Sequence, residues 1–190
     1  MSSPHLPVGA STGPDADPGH RLHARVQTAI FDVGTETALL KGGDARAGAC
    51  VIFVGYVRDH LVDGMGDAAG PLQALELEHY PGMTQRALAA LITAATDRFD
   101  VQAVRIVHRV GRLELQEPIV YVGVTSAHRH AAFDACTFLM DQLKTTVPFW
   151  KKEHRAGGAH WVAARESDAQ AAERWQPGAP AREPGRGSKR

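Results

Sequence analysis

Proline cannot continue a helix, and Pro148 stands directly behind a stripe of apolar residues, Phe133, Cys136, Met140, Leu143 and Val147, spaced by three and four. The spacing predicts an amphipathic helix over about 129–147 that stops at the proline. A second stripe, Leu88, Leu91, Ile92, Ala95 and Phe99, predicts another helix over roughly 83–98. Two such helices each need an apolar surface to lie on, and the remaining runs supply it. Ala49–Val54 is a continuous apolar run, the pattern of a strand covered on both faces. Leu75, Leu77 and His79 alternate with Glu76, Glu78 and Tyr80, as in a strand with one wet face. Val104–Val107 and Ile119–Val124 are rich in β-branched residues. The order strands, helix, strands, helix, short strand predicts an α+β domain with its helices laid on one mixed sheet.

Residues 1–22 and 176–190 carry Pro, Gly and charge with almost nothing to bury, so both read as disordered tails around a folded body of 23–175. Asp59–Pro71 joins two strands, contains three glycines and shows no periodicity, which predicts a mobile loop. Its spacing G-x-G-x-x-x-G is followed by a strand instead of a helix, so it is no dinucleotide fingerprint.

The 21 basic and 21 acidic residues balance, so any site for an anion must be local. Cys50 and Cys136 are far apart and make no C-x-x-C pair, which argues against a disulfide framework or a zinc ribbon and for a reducing, cytoplasmic setting. No stretch approaches the ~20 apolar residues of a membrane span, and the N-terminus lacks the order of a signal peptide.

The segment Lys144–Glu153, K-T-T-V-P-F-W-K-K-E, carries most of the chemistry. Lys144 falls on the inward stripe of its helix, four residues after Met140, so it either snorkels to the surface or lines a cavity. On spacing alone, snorkelling at a helix C-terminus that favours cations is the simpler account. Behind the proline come two aromatics and the pair Lys151–Lys152, so cations can converge from a helix end and from the turn after it. Ser126-Ala127-His128-Arg129-His130 lies at a strand-to-helix junction, where exposed N–H groups suit phosphate or carboxylate; Ser126 reads equally well as an N-cap. No carboxylate or cysteine stands at ligand spacing to His128 and His130, so no metal is expected. Arg58 follows a strand end and Arg165 sits beside an aromatic; each alone reads as a surface ion pair.

Several ordered motifs carry a family likeness: F-V-G-Y-V-R-D-H (53–60), L-E-H-Y-P-G-M (77–83), V-G-V-T-S-A-H-R (122–129), the segment 144–153, and W-V-A-A-R-E-S-D (161–168). Together, collinear over about 25–175, they resemble the large, catalytic subunit of molybdopterin synthase, the MoaE family. The chain departs from the family pattern at Tyr56, at Ala163 and in a lengthened 59–71 loop.

The resemblance implies an α/β-hammerhead fold with a mixed or antiparallel sheet and two main helices, assembled as a homodimer that binds a small ubiquitin-like subunit at each end. That subunit's C-terminal Gly-Gly thiocarboxylate would deliver two sulfurs to cyclic pyranopterin monophosphate, with no cofactor. It further implies Lys144 and Lys151 as catalytic, with burial beside other cations favouring a neutral Lys144. Arg58, His128, Arg129, Lys152, Glu153 and Arg165 would bind substrate, Arg165 from the other protomer, and Phe53 and Met140 would line the pocket. A non-catalytic adaptor for a Gly-Gly tail, or a partner-independent phosphate-ester enzyme, are the alternatives.

Overall fold

The structure, a computed structural model, describes residues 21–59, 70–162 and 166–176. Both expected tails, apart from residues 21, 22 and 176, and residues 60–69 of the expected loop lie outside the described residues. The order is β1 (Leu22–Gln27), α1 (Val33–Lys41), β2 (Ala49–Tyr56), β3 (Leu72–His79), α2 (Pro81–Arg98), β4 (Ala103–Arg109), β5 (Gly111–Glu114), β6 (Pro118–Ser126), α3 (Arg129–Thr146), β7 (Phe149–Arg155), β8 (Gly158–Val162) and α4 (Glu166–Glu173). The two long helices fall where the stripes place them.

The class is α+β, but the strands form two sheets where one was expected. The larger has the order β1-β4-β6-β2, with β1 parallel to β4 and the other pairs antiparallel; the smaller, β5-β3-β7-β8, is wholly antiparallel. Gly111 has φ of 82°, a conformation that suits a residue without Cβ, and there the chain turns from β4 of one sheet into β5 of the other.

The long helices cover one face of the larger sheet. Leu88 and Ile92 of α2 and Cys136, Leu139 and Leu143 of α3 pack on Val104, Ile106, Val122 and Val124. Pro81 opens α2, where a missing N–H costs nothing. Helix α1, capped by Asp32 accepting from the Thr35 N–H and closed by Gly42 in the left-handed region, covers part of the opposite face through Leu40 and Tyr121. There Glu36, 3% exposed, is held by Arg25 and Arg105. The smaller sheet buries Leu72, Leu75, Leu77 and Leu113.

Two expectations fail for identifiable reasons. Strand β2 was expected to be covered on both faces, yet it is an edge strand on which Cys50, Ile52 and Phe53 are exposed. Phe133 was expected in the buried stripe and is 60% exposed. The buried line of α3 runs through Ala132, Ala135, Cys136 and Leu139, and Phe133 lies about 100° round the helix from Ala132.

Candidate active site

At the seam of the two sheets lies a cleft of about 580 Å³, and the segments that end there supply its charges. Helix α3 stops because Val147 is extended ahead of Pro148, which leaves Lys144 in its last turn at the rim. The chain then enters β7, where side chains alternate between the faces. Phe149 and Lys151 therefore face the cleft, while Trp150 and Lys152 face away. From β2 and the residues after it come Phe53 and Arg58. Gly55 is required between them, since a Cβ there would sit 2.9 Å from Val120 Cγ1 and 3.3 Å from the Phe53 ring. Among the described residues lining the cleft, Arg58, Lys144 and Lys151 are cationic and none is acidic.

Each lysine has a carboxylate behind it. Lys144 Nζ donates to Asp168 Oδ1 at 3.2 Å; the lysine side chain is 54% exposed, so the burial expected for it is not found. Lys151 Nζ lies 2.8 Å from Glu153 Oε1, and Arg155 donates to the other oxygen at 2.8 and 3.0 Å. Burial alone would raise the Glu153 pKa, but the hydrogen bonds from Lys151 and Arg155 outweigh it and hold the carboxyl below its ordinary value.

The site expected from sequence is thus divided. Arg58, Phe53, Lys144 and Lys151 are together. Glu153, expected to bind substrate, is 2% exposed and spent on Lys151 and Arg155. Lys152 lies over the Trp161 ring, 5.3 Å from its centroid, and 3.9 Å from Glu76, on the far face of β7. Met140 packs against the apolar core. His128 and Arg129 are exposed at the start of α3, about 22 Å of helix from Lys144. Ser126 is not the N-cap, which is His128; its hydroxyl donates to the Asp100 carbonyl and accepts from the His128 N–H. Arg165 lies outside the described residues.

Sequence reasoning missed His108. Its ring forms part of the cleft wall, stacks on Phe149 at 3.9 Å with planes 12° apart, and is 7% exposed. Burial is the main cause that pulls its pKa down to about 4, with a smaller contribution from His79, against the raising effect of the Arg109 carbonyl. A histidine at the end of the V-R-I-V-H run reads as one more strand residue, and only period-two parity with Val104 and Ile106 places it on the helix-covered face. Among the described residues no group of three or more His, Cys, Asp or Glu could hold a metal ion, and no helix is long and apolar enough to cross a membrane.

The chain is thus a two-sheet α+β protein with a cleft at the seam that gathers three cations on an otherwise largely apolar lining. The family model described as MoaE protein matches residues 26–146. The molybdopterin synthase catalytic subunit of Pseudomonas aeruginosa is 52% identical over 152 residues, 80% of this chain and 97% of that one. That of Escherichia coli K12 is 50% identical over 145 residues, 76% and 92% of the two chains. Among solved structures, the MoaE protein of Burkholderia ambifaria matches with a TM-score of 0.65 at 44% identity, covering 80% of this chain and 96% of that one. Molybdopterin synthase from Staphylococcus aureus matches with a TM-score of 0.64 at 26% identity, covering 73% and 95%. The chain belongs to the MoaE family.

Proposed function

We propose that this chain is the catalytic subunit of a molybdopterin synthase. It takes sulfur from the thiocarboxylated Gly-Gly terminus of a small ubiquitin-like partner and places two sulfurs on cyclic pyranopterin monophosphate, in the cytoplasm and without a cofactor. The observation that carries this reading is the convergence of Arg58, Lys144 and Lys151 on one cleft with no acidic lining among the described residues. A cyclic phosphate and a thiocarboxylate are both anions, and two unit charges about 4 Å apart repel by about 4 kcal/mol at the effective dielectric of a protein surface. Fixed cations offset that repulsion and stabilise the phosphate oxygen as the cyclic ester opens. In each transfer the partner enters as a thiocarboxylate and, once water hydrolyses the acyl–sulfur bond, leaves as a carboxylate. At the pterin the first carbon–sulfur bond replaces the carbon–oxygen bond to phosphate, and the second replaces a carbon–oxygen bond whose oxygen departs as water.

In this reading Lys151 and Lys144 are the catalytic cations, Arg58 holds phosphate and Phe53 borders the bound ring. Glu153 is a positioning residue whose buried carboxylate fixes where the Lys151 ammonium stands. Residues 23–175 are the working body and the tails are accessory.

The active unit is a homodimer. His128 and Arg129 are stranded in one copy, and β2 offers an edge with no partner strand among the described residues, bearing Ile52 and Phe53. Antiparallel pairing of two such edges about a two-fold axis lays the Ala49 end of one copy beside the Gly55 end of the other. Ala49 pairs with Ser126, so this carries His128 and Arg129 of one copy toward the cleft of its partner.

The deciding experiment combines purified chain, thiocarboxylated partner and the cyclic pterin, and measures molybdopterin. Product that requires the partner supports the reading. Binding of the partner without turnover would indicate an adaptor, and turnover without any partner a phosphate-ester enzyme.

A further inference from the structure

We propose that His108 determines how the substrate lies in the cleft: its Nε2 accepts a hydrogen bond from a ring N–H of the pterin, so that the heterocycle enters first and the phosphate stays at the rim. This rests on the proposed function, whose substrate it orients.

The argument begins with the ring's own hydrogen bond. Nδ1 lies 2.8 Å from the Arg109 carbonyl oxygen, which can only accept, so Nδ1 carries the proton and the neutral ring presents a bare lone pair at Nε2. Nε2 has no partner among the described residues, yet it is not among the fully enclosed polar atoms lacking one. It therefore borders the cleft whose wall the ring forms. Water reaches an acceptor that borders the cleft, so a ligand that covers Nε2 either brings its own N–H or leaves the acceptor buried and unpaired, at a cost of about 1–3 kcal/mol.

The surroundings select what kind of donor enters. Phe149 fixes the plane of the imidazole by stacking, and Leu75, Leu77 and Val120 line the cleft with apolar surface. A flat heterocycle with N–H groups at its edge satisfies both requirements. A phosphate satisfies neither, because a lone pair repels anionic oxygen and apolar walls do not solvate it. The cations stand on Arg58, Lys144 and Lys151, with Arg58 and Lys144 exposed. The cleft thus has a cationic rim for the phosphate and one acceptor for the ring, which gives a bound molecule one direction.

The test uses the complex of full-length chain and thiocarboxylated partner. His108→Phe keeps a ring against Phe149 and removes the acceptor; His108→Gln keeps an acceptor near the Nε2 position. The expected result is a KM for the cyclic pterin raised about tenfold in His108→Phe and largely restored in His108→Gln. The KM for the partner and inhibition by inorganic phosphate should stay unchanged. An unaltered pterin KM overturns the proposal. A parallel loss of phosphate inhibition also overturns it, because His108 would then act through the cations, and a raised partner KM would assign the acceptor to a glycine N–H of the tail. Nitrogen NMR of the wild type gives an answer that does not depend on how the variants fold. The Nε2 resonance should shift on adding the pterin and not on adding phosphate, and a resonance that ignores the pterin sinks the idea. Wild-type turnover is scored separately: pterin binding that shifts Nε2 without product would refute the proposed synthase activity and leave the orientation standing.

Discussion

Glu36 and Glu153 are each buried between two cations, and the resemblance ends there. Glu36 lies between α1 and the larger sheet, where Arg25 and Arg105 spend their charge on it; Arg105 is 5% exposed. Glu153 lies under the cleft, where Arg155 is 4% exposed while the Lys151 side chain remains 31% exposed and lines the cavity. Both carboxyls are held below their ordinary pKa: burial opposes this, and the hydrogen bonds from the paired cations prevail. Each cluster keeps one partly exposed cation, the Arg25 and Lys151 side chains both being 31% exposed, but Arg25 fastens a helix to a sheet while Lys151 lines the cleft. A buried ion pair is therefore no sign of a site until one of its members borders a cavity.

The largest effect should come from removing the presented cations. Lys151→Ala and Lys144→Ala are expected to lower turnover by about 10³-fold, the scale of losing one preorganised charge-stabilising group. The thermal midpoint should change little in Lys144→Ala and fall in Lys151→Ala, which takes one partner from the buried Glu153. Turnover near wild type in either variant would take that lysine out of the chemistry.

The second prediction separates the clusters. Glu36→Ala and Glu153→Ala should each cost about 3–5 kcal/mol in urea unfolding, because each leaves a buried arginine, Arg105 or Arg155, uncompensated. Assayed where both variants are folded, Glu153→Ala should also lose activity by about tenfold or more, since Lys151 loses its anchor at 2.8 Å, whereas Glu36→Ala should keep it. Equal activity losses would erase the distinction between the clusters.

The third concerns acid. His108 titrates near 4 when folded against an ordinary 6.5, so the folded state binds fewer protons, and stability present above about pH 6.5 is lost as the pH falls toward 4. The loss amounts to about 3 kcal/mol and should vanish in His108→Phe when urea midpoints at pH 7 and pH 4.5 are compared. The two carboxylates act lower, their contribution full above about 4.5 and lost as the pH drops through their depressed values. A wild type as stable at pH 4.5 as at pH 7 would contradict the buried neutral imidazole.

The smallest effect should be at Lys152, whose ammonium lies on the outer face of β7 near Glu76 and the Trp161 ring. Lys152→Ala should change activity by less than about threefold and stability by less than about 1 kcal/mol. A loss matching that of Lys151→Ala would mean that β7 is read in the wrong parity.

What was legible in the sequence follows from which signals are local. A stripe before a proline fixes α3, and a strand end fixes Arg58, because each depends on a few neighbouring residues. The β7 parity that separates Lys151 from Lys152 was missed, because the residues behind Pro148 read as a turn and both lysines as members of the site. Helix α1 escaped because V-G-T-E-T-A-L-L-K has only a short apolar stripe, and nothing in it announces that Glu36 will be buried by arginines 11 and 69 residues away. The division into two sheets escaped because it is set by long-range strand pairing, such as β3 with β7, which no local pattern announces. Phe133 was misplaced because a large apolar side chain at helical spacing was counted as core, although the buried line is carried beside it by two alanines. His108 is visible as chemistry only once Phe149, 41 positions later, is known to lie flat against it.

Helix α4 has a consequence of another kind. Its first turns hold Asp168 against Lys144 at the rim, and just beyond its last turn Trp175 is wedged edge-on against Phe99 and Phe138 with the Arg98 guanidinium 5.2 Å away. The indoles of Trp150 and Trp161 are more than half exposed and emit from a watery setting. If an anion at the cleft draws Lys144 away from Asp168, α4 loses one of its fastenings, so the emission of the packed Trp175 is expected to shift as ligand is added, and an unchanged spectrum would show that α4 stays in place.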